Sequence, residues 1–283
     1  MTFTGYPIEL ENRRRLRATS KRLQFTLRDF DAPKTLDHSR WLRRENQGPM
    51  GSCRGWCRAH NAEISHFLAT GGEKVEFSAL WCYLRAQAKD GLDGDVGATI
   101  AGGAWSALNE GHATEEVAPY PDPVRYTHDL PPEAFEDARG RRCQSQTLLK
   151  TYAEHYAYLA GNCGGIDFGG PWPIPIDADR VMRRLGPFGA AGHAWAIVGY
   201  VHDDDVGEFF EFHKIKWSGR WDNDPKGRPS LVGFNQHNYD GPFLLRPAAA
   251  DALFRHPYSV SIGLSHMETP RPMAYDFVNE GLC

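Results

Sequence analysis

The hydrophobic period of this chain changes part-way along it, and that change constrains the fold more than any other feature. From Cys53 to Leu68 apolar residues recur at helical spacing, with Trp56, Ala59, Ile64, Phe67 and Leu68 in the pattern, and Gly71-Gly72 ends the run. The spacing predicts a second helix over Ser78 to Lys89 with Ser78 as cap, and a third over Ile100 to Asn109 closed by Gly111. Pro119-Tyr120-Pro121-Asp122-Pro123 then interrupts, and a further helix is expected from Gln144 to Leu159. Beyond the glycine-rich stretch Cys163 to Trp172 the period shortens. Ala194 to Val201 is a short apolar run, Glu208 to Trp217 alternates, and the polar turn between them makes the pair an antiparallel hairpin. A helix over Ala248 to Phe254 and a strand over Tyr258 to Leu264 follow. A helical first half before a strand-rich second half is an α+β chain, with any cleft where the halves meet.

Composition narrows the function classes. At 283 residues the chain is long enough to bury a core without covalent staples, and its 32 Lys plus Arg against 36 Asp plus Glu give a net charge of −4. That balance argues against nucleic acid or an anionic membrane as the main partner. No stretch approaches the roughly 20 apolar residues of a membrane span. The first thirty residues carry Arg and Lys from Arg13 to Arg22 without the apolar core of a secretory signal, so a cytoplasmic or phage-type setting is expected. The run Arg13 to Lys21 reads as a solvated arm. Six cysteines are too few for a disulfide scaffold, and most are expected to be buried thiols.

One cysteine stands out. The loop Gln47-Gly48-Pro49-Met50-Gly51-Ser52 leads directly into the helix that begins near Cys53, where unpaired N–H groups and the helix dipole favour a thiolate. Gln47 could aim its amide at the same point, where an oxyanion would develop, with the Cys53 backbone N–H as second donor. A cysteine nucleophile needs a base, and His193 opens the apolar strand Ala194 to Tyr200.

The motif from Gln47 to Cys53, followed 140 residues later by Gly192-His193-Ala194-Trp195 and the run to Gly199-Tyr200, resembles the papain-like cysteine peptidases. Phe77-Ser78-Ala79-Leu80, the stretch Gly102-Gly103-Ala104-Trp105-Ser106-Ala107-Leu108 and Pro119-Tyr120 extend the likeness, which covers roughly residues 25 to 230 and looks nearest the bacterial and phage branch. The resemblance implies two lobes, a helical one at about 47–160 bearing Cys53 and a β-rich one at about 161–228 bearing His193, with the cleft between them. Residues 1–24 would be a basic arm, and 229–283 an extension packing on the domain. It also implies a peptide or protein substrate, no cofactor and no metal. Cys53 would be the nucleophile, His193 the base and then acid, and Gln47 the oxyanion donor, with Gly102, Gly103 and Trp217 along the substrate cleft.

The chain departs from the family where an orienting Asn normally precedes the first of two tryptophans. Trp217 and Trp221 keep their spacing, but Ile215-Lys216 stands before them, and an aliphatic side chain cannot accept the imidazole hydrogen bond. Arg54 also replaces the aromatic residue usual after the nucleophile. A papain-like protein that no longer cleaves and serves as a binding or structural component is the alternative reading. A metal site built on Cys53, Cys57 and His60 along one helix face is a second.

Overall fold

A computed structural model describes residues 33, 35–38, 42, 46–173, 181–182, 188–203, 207–213, 216–217 and 243–268. The expected basic arm, Ile215 and Trp221 lie outside the described residues.

The first three helices fall where the apolar spacing puts them: α1 at Cys53–Thr70, α2 at Ala79–Asp90 and α3 at Ile100–Asn109. Local chemistry fixes their ends. The Ser78 side chain accepts from Trp81 N and the Thr99 side chain from Gly102 N, each satisfying a first-turn donor. Gly71 at φ 70° and Gly91 at φ 69° take the left-handed conformation that closes α1 and α2. From Cys53 to His66 every residue of α1 is buried. The helix can run so deep because Gly55 has no side chain: a β-carbon there would collide with the Ala79 carbonyl at the crossing with α2.

A short helix α4 (Glu133–Ala138) precedes the first long strand of the second half. The strands are β1 (Thr35–Asp37), β2 (Asn46–Gly48), β3 (Cys143–Leu149), β4 (Ile166–Pro173), β5 (Val181–Met182), β6 (Phe188–Asp203), β7 (Gly207–His213), β8 (Lys216–Trp217), β9 (Phe243–Leu245) and β10 (Val260–Met267). Helices α5 (Tyr152–Ala160) and α6 (Pro247–Arg255) complete the order. Eight strands form one sheet in the order β3-β10-β4-β6-β7-β9-β5, with β1 on β6, antiparallel except where β5 meets β9. The expected hairpin is present: β6 and β7 pair from Ala196↔His213 to Asp203↔Gly207.

One expectation is corrected here. Residues 144–149, read as the start of a helix, form β3, because their backbone pairs antiparallel with β10 from Ser261↔Leu149 to Met267↔Cys143. The helix begins only at Tyr152, behind a capping box in which Thr151 and Glu154 satisfy each other's backbone donors. The helix and strand expected in the C-terminal segment are present as α6 and β10, and β10 lies inside the sheet between β3 and β4.

Strand periodicity divides the core. Ala194, Ala196 and Val198 of β6 join Val260, Ile262 and Leu264 of β10 in the cluster that contains Cys53, Trp56 and Cys57 of α1. Trp195 and Ile197 point the other way, onto Phe168, Tyr158 and Phe254 under α5 and α6. Phe168 and Trp195 are cross-strand partners and stack at 5.1 Å. The central helix is thus held between α2 and the sheet, with its first turn at the sheet's surface.

Two histidines lock this core in the neutral state. His155 donates to Thr151 O at 2.7 Å and stacks on Phe254, while His112 is bonded to Arg141 O at 2.8 Å. Burial lowers His112 to about 3 and His155 to about 4. In the unfolded chain both charge near 6.5, so between that pH and about 4 the unfolded state binds more protons and stability falls as pH falls. From pH 7 to pH 5 the expected loss is roughly 3 kcal/mol, checked by urea midpoints at the two values. A midpoint independent of pH over that range would contradict it.

Candidate active site

Cys53 is the first residue of α1 and is buried, 1% exposed. Ser52, the residue at the cap position, makes no capping hydrogen bond with its side chain. Its hydroxyl instead meets the Tyr120 hydroxyl at 2.5 Å. Tyr120 gives its single proton to Gln47 O at 2.9 Å, so Ser52 is the donor between the two hydroxyls. Tyr120 therefore ties the Gln47 strand to the start of α1 and leaves the first-turn N–H groups uncapped by Ser52. A second strut comes from Asp95, whose Oδ1 accepts from Gly51 N at 2.7 Å and from the Tyr83 hydroxyl at 3.0 Å.

The backbone N–H of Ala194, the residue after His193, is among the groups that favour a charged Cys53 sulfur. One turn on, Cys57 Sγ donates to Trp195 O at 2.9 Å, so the start of α1 runs along β6 over Ala194 and Trp195. His193 pairs with Gly170 of β4 and is buried, with its ring edge-on to Trp195 at 5.6 Å between centroids. Burial pushes the Cys53 thiol up to about 12, while the Ala194 and Arg54 N–H groups and the Arg54 guanidinium pull it down. A thiolate in so dry a place requires a cation beside it.

Gln47 is buried, and its Nε2 donates to Met50 O at 2.9 Å. An amide nitrogen carries two protons, so this bond fixes the side chain and leaves one donor. Strand β2, which carries Gln47, pairs in parallel with β8 at Asn46↔Lys216 and Gly48↔Trp217, which brings the backbone of Trp217 beside the Gln47 loop. The sequence-predicted Cys53, Gln47 and Trp217 segments and the backbone next to His193 thus converge on the N-terminal end of α1. Gly102 and Gly103 do not join them. Both are buried within α3, where a β-carbon would collide with the Asp90 carboxylate at Gly102 and the Arg54 guanidinium at Gly103.

Sequence reasoning noted Arg54 only as a departure, and it missed Asp167. Arg54 is fully buried and bonds Asp167 Oδ2 at 2.8 Å. Arg58 reaches the same oxygen at 3.1 Å, and Asn61 Nδ2 donates to the other at 2.6 Å. Burial opposes the Asp167 charge, but the two guanidinium groups and Asn61 hold its carboxyl below the usual range. The residue spacing Arg54, Arg58 and Asn61 along one helix face was the available signal. Among the described residues no three His, Cys, Asp or Glu side chains converge as metal ligands, so Cys53, Cys57 and His60 share a helix without forming a ligand set. Cys53, Cys57, Cys82 and Cys143 are free and buried, whereas Cys163 is engaged in a disulfide. Among the described residues no helix is long and apolar enough to cross a membrane.

No family model and no curated protein sequence matches the chain. Solved structures do. Xylellain, a cysteine protease from Xylella fastidiosa, superimposes with a TM-score of 0.62 at 18% identity over 95% of this chain and 97% of that one. The proCathepsin B S9 of Trypanosoma congolense gives 0.61 at 14% identity over 87% and 82%. The ragweed pollen cysteine protease Amb a 11 in its proform gives 0.59 at 16% identity over 83% of this chain, which spans 66% of the ragweed chain. At such identities the likeness speaks for architecture. Helices around a buried α1, an antiparallel sheet behind it and the site where they meet make this chain a two-lobed α+β protein with the papain-like fold.

Proposed function

We propose that the protein is a cysteine peptidase that hydrolyses peptide bonds of a peptide or protein substrate through an acyl-enzyme. The observation that carries this reading is the Cys53 thiol at the head of a buried helix whose first turns run along β6 beside His193, with Cys57 one turn on bonded to Trp195 O. In the proposed reaction the Cys53 sulfur attacks the scissile carbonyl carbon while His193 holds the proton. The oxyanion takes hydrogen bonds from the Cys53 N–H and the second Gln47 Nε2 proton. His193 passes its proton to the leaving amine, and the thioester is then hydrolysed by water with His193 as base. No metal or organic cofactor takes part.

The test is hydrolysis of dye-quenched casein by the full chain. Gln47→Ala is expected to lower kcat by about 10²–10³-fold if its amide serves the oxyanion. An unchanged rate would leave Gln47 only the loop-holding role of its bond to Met50 O. The non-cleaving alternative draws its support from Ile215-Lys216 ahead of Trp217. Absence of casein hydrolysis by folded protein in reducing buffer would favour it.

A further inference from the structure

The proposed chemistry leaves Arg54 unexplained. It follows Cys53 directly and is fully buried, and its seat is specific: Nε donates to Thr99 O at 3.2 Å, Nη2 to Ile100 O at 3.5 Å, and Gly103 leaves the space the guanidinium fills. Two guanidinium groups, Arg54 and Arg58, share one carboxylate, and no other ion pair reaches either among the described residues. Arg54 Nη1 and Arg58 Nε and Nη2 are buried without a hydrogen-bond partner among those residues. An uncompensated positive charge in a dry core is costly, and it makes an anion nearby correspondingly favourable.

Two thiols share the first turns of α1 with this cluster, and they differ. Cys53 immediately precedes Arg54 at the head of the helix, and the Arg54 charge is among the causes that lower its thiol, whereas for Cys57 the opposing Asp167 charge outweighs that of either guanidinium. The other titratable and charged groups around this turn are Arg58 on α1, Asp167 on β4, His193 on β6, Tyr120 after α3, Asp95 before α3 and Asp90 on α2. Asp95 is engaged by Gly51 and Tyr83, and Asp90 by Thr99. We infer that Arg54 is a positioning residue for the proposed nucleophile: a fixed cation behind the first turn of α1 that, together with His193, holds the Cys53 sulfur as a thiolate. The inference rests on the reading of Cys53 as nucleophile.

The experiment is the rate of Cys53 alkylation by iodoacetamide against pH, read by peptide mass spectrometry, on the full chain and on Arg54→Gln and Arg54→Lys. Glutamine leaves Arg58 and Asp167 as a neutral pair and removes the cation at Cys53. Labelling of the glutamine variant at pH 6 is expected to fall at least about tenfold, with the limiting rate at high pH changed by no more than about threefold. The lysine variant is expected to keep the low-pH limb. A glutamine curve that superimposes on the parent overturns the inference. Where the glutamine variant shows no cooperative melt, the lysine variant decides: a lost low-pH limb in folded lysine protein overturns it. Failure of the underlying reading is separately visible, because the parent chain itself would then label Cys53 no faster than Cys57, Cys82 or Cys143.

Discussion

Cys53→Ala is expected to abolish turnover of dye-quenched casein, by at least about 10⁴-fold, while the protein keeps its cooperative melt. The two halves of that expectation have separate causes. Without the sulfur no acyl-enzyme forms, and none of the other free cysteines can substitute. Cys57 is bonded to Trp195 O, Cys82 lies within α2 and Cys143 opens β3, so among the described residues only Cys53 stands at the head of α1 directly after the Gln47 loop. The stability cost is that of one buried heavy atom, about 1 kcal/mol. The first turn of α1 is held by Tyr120, Asp95 and Asp167, none of which needs the thiol. Full activity in the alanine variant would remove Cys53 from the mechanism.

Asp167→Ala is expected to destabilise the fold by about 3–5 kcal/mol, the cost of leaving buried charge uncompensated. Here two guanidinium groups lose their only carboxylate among the described residues, and Asn61 loses the acceptor of its amide. The neighbouring groups cannot take over: the Thr99 and Ile100 carbonyls already accept from Arg54. The sign of the pH effect follows from the lowered carboxyl. Above the unfolded value of about 3.9 the charge is present in both states and the pairing contributes fully; as pH falls through the folded value the contribution is lost. Urea denaturation of the parent and variant at pH 7 checks the magnitude. Removing Arg54 as well is expected to recover part of the loss, since it takes away one of the two orphaned charges. A variant within about 1 kcal/mol of the parent would contradict the account of this triad.

What the sequence reveals here is what is local. Ser78 as a cap, Gly71 as a stop and the helical spacing after Cys53 each act within one or two turns, and the structure realises all three. The turn between β6 and β7 is likewise a short-range feature. Residues 143–149 misled because their helical or extended state is decided by a partner strand more than a hundred residues away, β10. The same holds for Arg54, which read as an anomaly until Asp167, beyond the whole helical half, proved to be its counter-ion. Gly102-Gly103 were given a cleft role only by the family resemblance; in the structure they open the inside of the lobe to Asp90 and Arg54. The candidate site residues were legible as candidates because their motif packs a loop, a helix start and a cysteine into seven positions, Gln47 to Cys53. Their burial was not, since it depends on β6 lying across the helix end.

The central claim is that Cys53 and His193 work as one nucleophile. The most direct measurement is the pH dependence of Cys53 alkylation by iodoacetamide in the full chain, with His193→Ala alongside. The account predicts rapid labelling of Cys53 below pH 7, ahead of Cys57, Cys82 and Cys143, and loss of that low-pH reaction in the alanine variant, because burial alone holds the thiol near 12. Labelling that rises only at or above the free-thiol range near 8.5, and is the same with or without His193, would contradict it.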